Sequence, residues 1–225
     1  MNWSARRINA VSVINKASRY LEIGVNRGET FFDVNVEFKD GVDPAFQFDT
    51  MAVINDKIRL FSETSDNFWI SKSPSKYDII MLDGLHTFEQ TFRDLICSMR
   101  FAHERTVWLI DDTLPSDVFS AIPDQKRSYR ERQKMNIGGF PWHGDVFKIV
   151  PAICFFLPVL EYVTIINSGN PQTVAWYYPR PVFQPSANNL ESISRMSFFD
   201  IEPNFSLFNF AEEADALDRL ASAFI

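Results

Sequence analysis

The sequence predicts an α/β fold, a doubly wound and mostly parallel sheet of seven strands with a C-terminal antiparallel hairpin. Short apolar runs alternate with segments of helical periodicity through the first two thirds of the 225 residues, which is typical of βαβ units. Residues 77–82 contain the unbroken apolar run Ile79-Ile80-Met81, as expected of a strand buried on both faces of a parallel sheet. Two β-rich runs then flank the turn residues 167–170, which predicts the hairpin.

The elements follow one another in a regular order. A lead-in helix is expected over residues 7–18, and further helices are expected from about residue 30, over 87–99 and over 212–224. Pro44 marks the end of the second strand, because a proline restricts the residue before it. The predicted strands cover residues 20–25, 38–42, 58–61, 77–82, 107–110, 162–166 and 173–178.

A single domain over residues 1–178 accounts for this pattern, because a chain of this length holds one well-buried core. Within it, the segment 113–144 loses the alternation and is charged and rich in turn residues, so we expect a lid or substrate-binding segment there. The Phe-rich extension over residues 179–225 ends in an amphipathic helix. We expect that helix to pack on the domain or on the second subunit of a homo-oligomer.

Composition argues against several functional classes. A net charge of −7 disfavours nucleic acid as a partner, and the basic cluster in residues 126–134 is interleaved with acidic residues, as on a solvated face. The longest apolar run, residues 149–160, is too short to cross a membrane, and the first residues lack the features of a secretory signal. Because Cys97 and Cys154 are far apart, we expect reduced thiols in a cytoplasmic protein.

Polar residues follow each predicted strand, where parallel α/β sheets bind their ligands. Gly24 and Gly28 lie after the first strand, where they either let the backbone approach a ligand or serve tight packing alone. Asp43 follows the second strand, at a position suited to ribose hydroxyls. Asn26 and Glu29 stand where a dinucleotide-binding motif has glycines, and the chain contains no Walker-type phosphate loop. A pyrophosphate cradle is therefore disfavoured.

Three motifs resemble class I S-adenosylmethionine-dependent methyltransferases: Tyr20-Leu-Glu-Ile-Gly-Val-Asn-Arg-Gly28, Gly41-Val-Asp-Pro44 and Tyr77-Asp-Ile-Ile-Met-Leu-Asp-Gly-Leu-His86. The resemblance covers roughly residues 18 to 178 and implies S-adenosyl-L-methionine as the cofactor. Asn26 departs from the pattern, because many members of the class have a glycine there. The cofactor-binding residues that the resemblance implies are Glu22, Gly24, Asn26, Gly28, Thr30, Asp43, Ser65, Asp66 and Asp83.

Asp83-x-x-His86 followed by Asp111-Asp112 resembles the metal-dependent branch of this class, which includes catechol and macrolide-sugar O-methyltransferases. The resemblance implies a metal site of Asp83, Asp111 and Asp112, an all-oxygen ligand set that suits Mg²⁺ and also Mn²⁺ or Ca²⁺. His86 is then a candidate base for the acceptor's proton. In the alternative without a metal, Asp83 bonds loop amides or the cofactor, the aspartate pair starts a turn, and His86 caps the next helix or contacts the cofactor.

Residues 138–145 contain a second candidate base, His143, after glycines that allow movement. Trp142 and His143 either close over an acceptor or serve no such role, with Trp142 packed on the sheet and His143 solvated. The expected function is metal-assisted O-methylation of a small hydroxylated metabolite such as a sugar or polyketide. A metal-independent N- or O-methyltransferase and a non-catalytic nucleoside-binding protein are the alternatives.

Overall fold

The computed structural model describes residues 2–72, 75–181 and 189–224. The strands are β1 Arg19–Ile23, β2 Phe38–Val42, β3 Ile58–Phe61, β4 Tyr77–Leu82, β5 Ala102–Ile110, β6 Leu160–Ile166, β7 Gln172–Tyr177 and β8 Phe210–Glu212. The α-helices are α1 Trp3–Asn15, α2 Glu29–Asp33, α3 Ser65–Ser71, α4 Phe88–Ser98, α5 Gln125–Lys134, α6 Ile149–Phe156, α7 Leu190–Ser194 and α8 Glu213–Ala223. Short 3₁₀ turns cover Thr50–Ala52, Met99–Phe101, Val146–Lys148, Phe198–Asp200 and Glu202–Phe208.

The strands form one sheet in the order β3-β2-β1-β4-β5-β7-β6-β8. Neighbouring strands run parallel except around β7, which pairs antiparallel with both β5 and β6. The carboxyl ends of β1, β2, β4 and β5 therefore lie side by side along one edge, at Ile23, Val42, Leu82 and Ile110. The polar residues that follow these strands in the sequence are brought together at this edge.

The predicted fold class is confirmed, but the described part of the chain forms a sheet of eight strands rather than seven. The additional strand, β8, comes from the predicted C-terminal extension and pairs parallel with β6, with Thr164 opposite Phe210. A strand of three residues is too short to show an alternating pattern in the sequence. Other ends also move: the lead-in helix begins at Trp3 rather than residue 7, and the fifth strand begins at Ala102 rather than residue 107.

Helices cover both faces of the sheet. On one face pack α1, α2 and α8, and Ile8 and Phe31 are fully buried there. On the other face pack α3, α4 and α6, and Leu95 and Ile153 are fully buried there. Burial on both faces explains the apolar run of β4. Successive side chains point to opposite faces of the sheet, and each face is covered by a hydrophobic layer.

The segment 113–144, expected as a lid or loop, contains the helix α5. Asp124 caps this helix by accepting a hydrogen bond from the backbone N–H of Arg127 (2.7 Å). The expected solvated face is wrong for Arg132, whose buried guanidinium donates two hydrogen bonds to Asp117 (2.7 and 2.6 Å). A buried cation needs such a partner, which the sequence pattern did not reveal. The other basic residues of the cluster are exposed: Lys126, Arg127, Arg130 and Lys134.

Both cysteines are free thiols, with Cys154 buried and Cys97 partly buried. Residues 149–156 of the longest apolar run form the eight-residue helix α6, which packs against the sheet. In the part of the chain that the structure describes, no helix combines the length and the apolar character that crossing a membrane requires.

Candidate active site

A cleft of about 930 Å³ opens at the carboxyl ends of β1, β2 and β4, a volume typical of small-molecule sites. Nine residues are predicted to bind the cofactor. One of them, Gly28, lines a neighbouring groove of about 700 Å³ that shares Thr30 with the cleft. His86 also lines the cleft. The other eight residues predicted to bind the cofactor all line it: Glu22, Gly24, Asn26, Thr30, Asp43, Ser65, Asp66 and Asp83.

The turn after β1 places its backbone close to the loop after β4. Gly24 has φ +91°, and a Cβ atom there would lie 1.9 Å from the backbone oxygen of Asp83. Only glycine fits this position, so tight packing alone accounts for Gly24. Asn26 has φ +49°, a left-handed conformation that asparagine tolerates better than most residues. The loop therefore forms with Asn26 at the position where many class I methyltransferases have a glycine.

Asp43 holds the same turn in place from the end of β2. Its Oδ2 accepts a hydrogen bond from the backbone N–H of Asn26 (2.8 Å), and its Oδ1 accepts one from that of Ala45 (2.7 Å). Each carboxylate oxygen has a second lone pair, so these bonds leave acceptor capacity toward the cleft. The ribose contact of Asp43 stays a prediction, with a side chain that is already oriented.

Glu22 is a buried carboxyl group in the wall of the cleft. Burial raises its pKa to about 8, although the hydroxyl of Tyr20, which donates to Oε2 (2.6 Å), and the charge of Lys39 act in the opposite direction. At neutral pH a protonated carboxyl group is therefore favoured at Glu22. A cation bound beside it would favour the ionised form.

Gln90, which sequence reasoning missed, ties together the far end of the cleft. Its Nε2 donates to Oγ of Ser65 (3.2 Å) and to Oδ1 of Asp66 (3.1 Å). Arg93, on α4 like Gln90, forms an ion pair with Asp66 at 2.9 Å. Gln90 lies in the first turn of α4 and lines the same cleft. No spacing in the sequence indicated this, because His86 precedes the helix.

Asp83, His86 and Asp112 come together at the ends of β4 and β5, and we name them the Asp-His-Asp group. Each offers one donor atom, and these atoms all lie within 4.8 Å of one another. Nδ1 of His86 is 2.5 Å from Oδ2 of Asp112, and Nε2 is 3.8 Å from Oδ1 of Asp83. The short contact lacks the geometry of a hydrogen bond, so Nδ1 is a buried nitrogen without a hydrogen-bond partner.

The structure brings His86, rather than Asp111, together with the other two predicted metal ligands. Oδ1 of Asp111 accepts hydrogen bonds from Nδ2 of Asn170 (2.6 Å) and from the backbone N–H of Asp112 (2.8 Å). Asp112 has φ +60°, a left-handed conformation that gives the two consecutive carboxylates different partners. The sequence showed the aspartate pair but not which member contacts His86.

Residues 142–144 cover the Asp-His-Asp group. The ring of Trp142 stacks on that of His86, with 4.5 Å between centroids and 13° between planes, and its Nε1 donates to the backbone oxygen of Ile122 (2.8 Å). Nε2 of His143 is 3.9 Å from Oδ1 of Asp112, and its Nδ1 is buried without a partner. At Gly144 a Cβ atom would lie 1.7 Å from the backbone oxygen of His86, so this contact requires glycine.

Solved structures of methyltransferases share this architecture. An O-methyltransferase from Bacillus cereus in complex with SAH has a TM-score of 0.51 and 11% identity, over 79% of this chain and 82% of that chain. The SAH-bound Podospora anserina methyltransferase PaMTH1 has a TM-score of 0.53 and 12% identity, over 75% and 76%. The plantazolicin methyltransferase BpumL, in complex with a monoazolic desmethylPZN analog and SAH, has a TM-score of 0.53 and 15% identity, over 91% and 76%. The chain has the class I methyltransferase fold.

The sequence itself matches no protein-family model and no curated protein. At identities of 11 to 15%, the likeness therefore lies in the arrangement of helices and strands. What this chain does with the methyltransferase fold has to be argued from the residues of its own site.

Charge in this part of the methyltransferase fold is concentrated and incompletely compensated. Burial, together with the charges of Asp111 and Asp112, raises the pKa of Asp83 well above its usual value, although 31% of its side chain is exposed to the cleft. Burial and Asp112 likewise raise the pKa of Asp111 to about 7. Carboxyl groups that repel one another and retain protons fit a bound cation, and Nδ1 of His86, which makes no hydrogen bond, adds a nitrogen donor.

The two histidines of the site have opposite pKa shifts. Burial would lower the pKa of His86, but its contact with Asp112 and the charge of Asp111 outweigh burial and raise it. Burial lowers the pKa of His143, and the charge of Asp112 only partly offsets this. Neutral imidazole is therefore favoured at His143 and imidazolium at His86 when no cation is bound.

Proposed function

We propose that the protein is an S-adenosylmethionine-dependent methyltransferase that methylates an oxygen of a small hydroxylated metabolite, assisted by a divalent cation. One observation carries the proposal: the cleft of strand-end residues and the Asp-His-Asp group share Asp83 and His86. Methyl transfer requires the cofactor and the acceptor to be held side by side. A cleft that leads directly to a group suited to an acceptor hydroxyl meets that requirement.

The charge of the cleft supports a cationic cofactor. Glu22 and Asp83 are carboxyl groups with raised pKa values, and a positive charge between them would lower both. Asp43 follows β2, where ribose hydroxyls are bound in folds of this kind. When bound, S-adenosylmethionine supplies a methyl group on a positively charged sulfur, together with a cationic amino group. S-adenosylmethionine contains no phosphate, which agrees with Asn26 and Glu29 at the positions where a dinucleotide-binding motif has glycines.

Asp83, His86 and Asp112 are the residues that would hold the divalent cation. Two carboxylates and one imidazole form a mixed set of hard oxygen and borderline nitrogen donors, which suits Mn²⁺ better than Mg²⁺. A cation held there would supply positive charge that lowers the pKa of an acceptor hydroxyl and orients it. With His86 as a ligand, its imidazole is no longer free to act as the base.

His143 is then the base that we propose. Its lowered pKa keeps the imidazole neutral at neutral pH, and a neutral ring nitrogen can accept the proton of the acceptor hydroxyl. Its Nε2 lies 3.9 Å from Asp112, whose negative charge would stabilise the imidazolium that forms. Trp142, stacked on His86, reduces the access of water to the same place.

The acceptor that we propose is small, because it has to fit beside the cofactor in a cleft of about 930 Å³. Hydroxylated metabolites such as sugars or polyketides fit the oxygen-activating group, and the resemblance to catechol and macrolide-sugar enzymes suggests them. The specificity would come from the segment 113–144, since residues 142–144 already contact the site.

Ligand binding tests the cofactor part of the proposal. We expect S-adenosylhomocysteine to raise the melting temperature, because at 100 times its Kd a native-state ligand adds about 2.7 kcal/mol of stability. NAD is the matched comparison, since it carries the same adenosine with a pyrophosphate, and we expect no stabilisation by NAD. Stabilisation by NAD alone would overturn the cofactor assignment.

Turnover tests the rest. Transfer of a labelled methyl group to a panel of sugars, polyketides and catechols should stop in a chelator and return with Mn²⁺. Turnover that is insensitive to the chelator would instead favour a metal-independent methyltransferase that uses histidine alone. Binding of S-adenosylhomocysteine without transfer to any acceptor would favour a non-catalytic nucleoside-binding protein.

A further inference from the structure

The turn between β6 and β7 reaches the proposed reaction site through one side chain. Nδ2 of Asn170 donates to Oδ1 of Asp111 at 2.6 Å. The same oxygen accepts the backbone N–H of Asp112 at 2.8 Å. One carboxylate oxygen therefore joins the hairpin turn to the residue that contacts His86.

The hydrogen bond from the backbone N–H of Asp112 to Oδ1 of Asp111 stabilises the backbone conformation of Asp112. A non-glycine residue at φ +60° is conformationally costly, and it persists only where the surrounding structure holds it. Asp111 supplies such a hold by binding the N–H of that residue. This turn sends the carboxylate of Asp112 to His86, 2.5 Å from Nδ1. Asp111 itself is absent from the three donors that lie within 4.8 Å of one another.

Arg7 anchors the turn from the other side. It is fully buried and donates to the backbone oxygens of Ser168 (2.6 Å) and Asn170 (3.2 Å). Its charge is paired with Glu213 at the start of α8, at 3.1 Å. Trp3 occupies the space where Gly169 has no side chain, so the first turn of α1 packs directly on the hairpin. The position of Asn170 is thus fixed by both ends of the chain.

We infer that Asp111 and Asn170 form a positioning pair that directs Asp112 to the cation site, and that Asp111 is not itself a ligand of the cation. This inference rests on the cation-binding part of the proposed function. It differs from the ligand set predicted from the sequence, because it gives the two consecutive aspartates separate tasks. Asp112 holds the cation, and Asp111 holds Asp112.

Two substitutions of Asp111 separate a positioning residue from a ligand. Asp111→Asn keeps an Oδ1 that accepts both hydrogen bonds, whereas Asp111→Ala removes it. Titration of the full-length chain with Mn²⁺ alone, followed by calorimetry, gives the affinity without any need for turnover. We expect Asp111→Asn to bind Mn²⁺ about tenfold or more tightly than Asp111→Ala, since residues that orient ligands are worth about 10–100-fold in metal affinity. Equal affinities of these two variants, or an Asp111→Asn as weak as Asp83→Asn, would overturn the inference.

Asn170→Ala tests the other member of the pair. It removes the amide donor but keeps the backbone oxygen that Arg7 binds, and we expect about tenfold weaker Mn²⁺ binding with unchanged affinity for S-adenosylhomocysteine. Asn167→Gly is the matched control, because Asn167 lies in the same turn at φ +64° and its side chain bonds Glu212 instead. That control should bind Mn²⁺ as the wild type does.

The outcomes separate this inference from the proposed function. Wild-type affinity for Mn²⁺ in Asn170→Ala would overturn the positioning role alone. A wild-type protein that binds no Mn²⁺ would overturn both the cation site and the inference built on it. Melting curves identify variants that are unfolded, and if Asn170→Ala does not fold, the comparison of the two Asp111 variants decides.

Discussion

Two clusters of charged residues lie near the same edge of the sheet and differ in how their charges are compensated. Around Arg7, a single cation meets Glu213, a glutamine side chain and two backbone oxygens, so opposite charges and hydrogen bonds are matched. In the Asp-His-Asp group, two carboxylates share one imidazole, whose Nδ1 contacts Asp112 at 2.5 Å without the geometry of a hydrogen bond. A buried cation with all its charges and hydrogen bonds matched indicates a structural role, whereas partly exposed carboxylates with a single imidazole between them indicate a place for a ligand.

Removing the cation of the matched cluster should have the largest effect on stability. Arg7→Met leaves Glu213 buried with less compensation and two turn oxygens without their donor, at a cost of about 3–5 kcal/mol. We expect the melting temperature to fall by roughly 6–20 °C in calorimetry. Arg6→Ala is the control, because the half-exposed Arg6 pairs with the same Glu213 and should cost no more than about 1 kcal/mol. Similar losses in both variants would contradict the assignment of Arg7.

Removing a charge from the unmatched group should affect activity instead. We expect Asp83→Asn to lower methyl transfer by about 100-fold, which corresponds to about 3 kcal/mol of barrier. Its melting temperature should hold or rise, because the variant loses a carboxylate that is desolvated beside other carboxylates. Asp218→Asn, at an exposed position on α8, is the control and should change neither measurement. A strongly destabilised Asp83→Asn would place Asp83 with the matched cluster.

Glu22, in the wall of the cleft, should make the stability of the protein depend on pH. Its folded pKa of about 8 lies above the usual 4.5, so the folded protein keeps a proton that the unfolded chain releases above pH 4.5. The stability from this proton is complete below about pH 4.5 and is lost as pH rises toward 8. Between pH 6 and 8.5 the wild type should lose roughly 3 kcal/mol more than Glu22→Gln, measured by denaturant unfolding. Parallel pH profiles of the two proteins would show that Glu22 is not desolvated.

Trp142 should have the smallest effect. Trp142→Phe keeps an aromatic ring over His86 but loses the hydrogen bond to Ile122, a difference of about 1 kcal/mol. We expect turnover to fall by no more than about fivefold, with a larger fall in Trp142→Ala. If the two substitutions have the same effect in steady-state kinetics, the stacked ring has no part in holding His86.

Much of the fold was predictable because it depends on local pattern. The apolar run of β4 and the proline after β2 predicted those strands with their observed ends, and the turn residues 167–170 predicted the hairpin. β8 was missed because three residues show no periodicity, and because its partner β6 is distant in the sequence. The burial of Arg132 was missed because its partner Asp117 lies fifteen residues away.

The sequence by itself determined which polar residues lie at the end of each strand. Because the ends of parallel strands meet at one edge, it also determined that these residues come together. It therefore determined the members of the cleft, including Glu22, Asp43 and Asp83. Only the tertiary structure decided that His86 rather than Asp111 joins Asp83 and Asp112. That choice depends on the left-handed backbone at Asp112 and on Asn170, fifty-nine residues along the chain from Asp111. Orientation of a side chain is set by such distant hydrogen bonds, which no local pattern records.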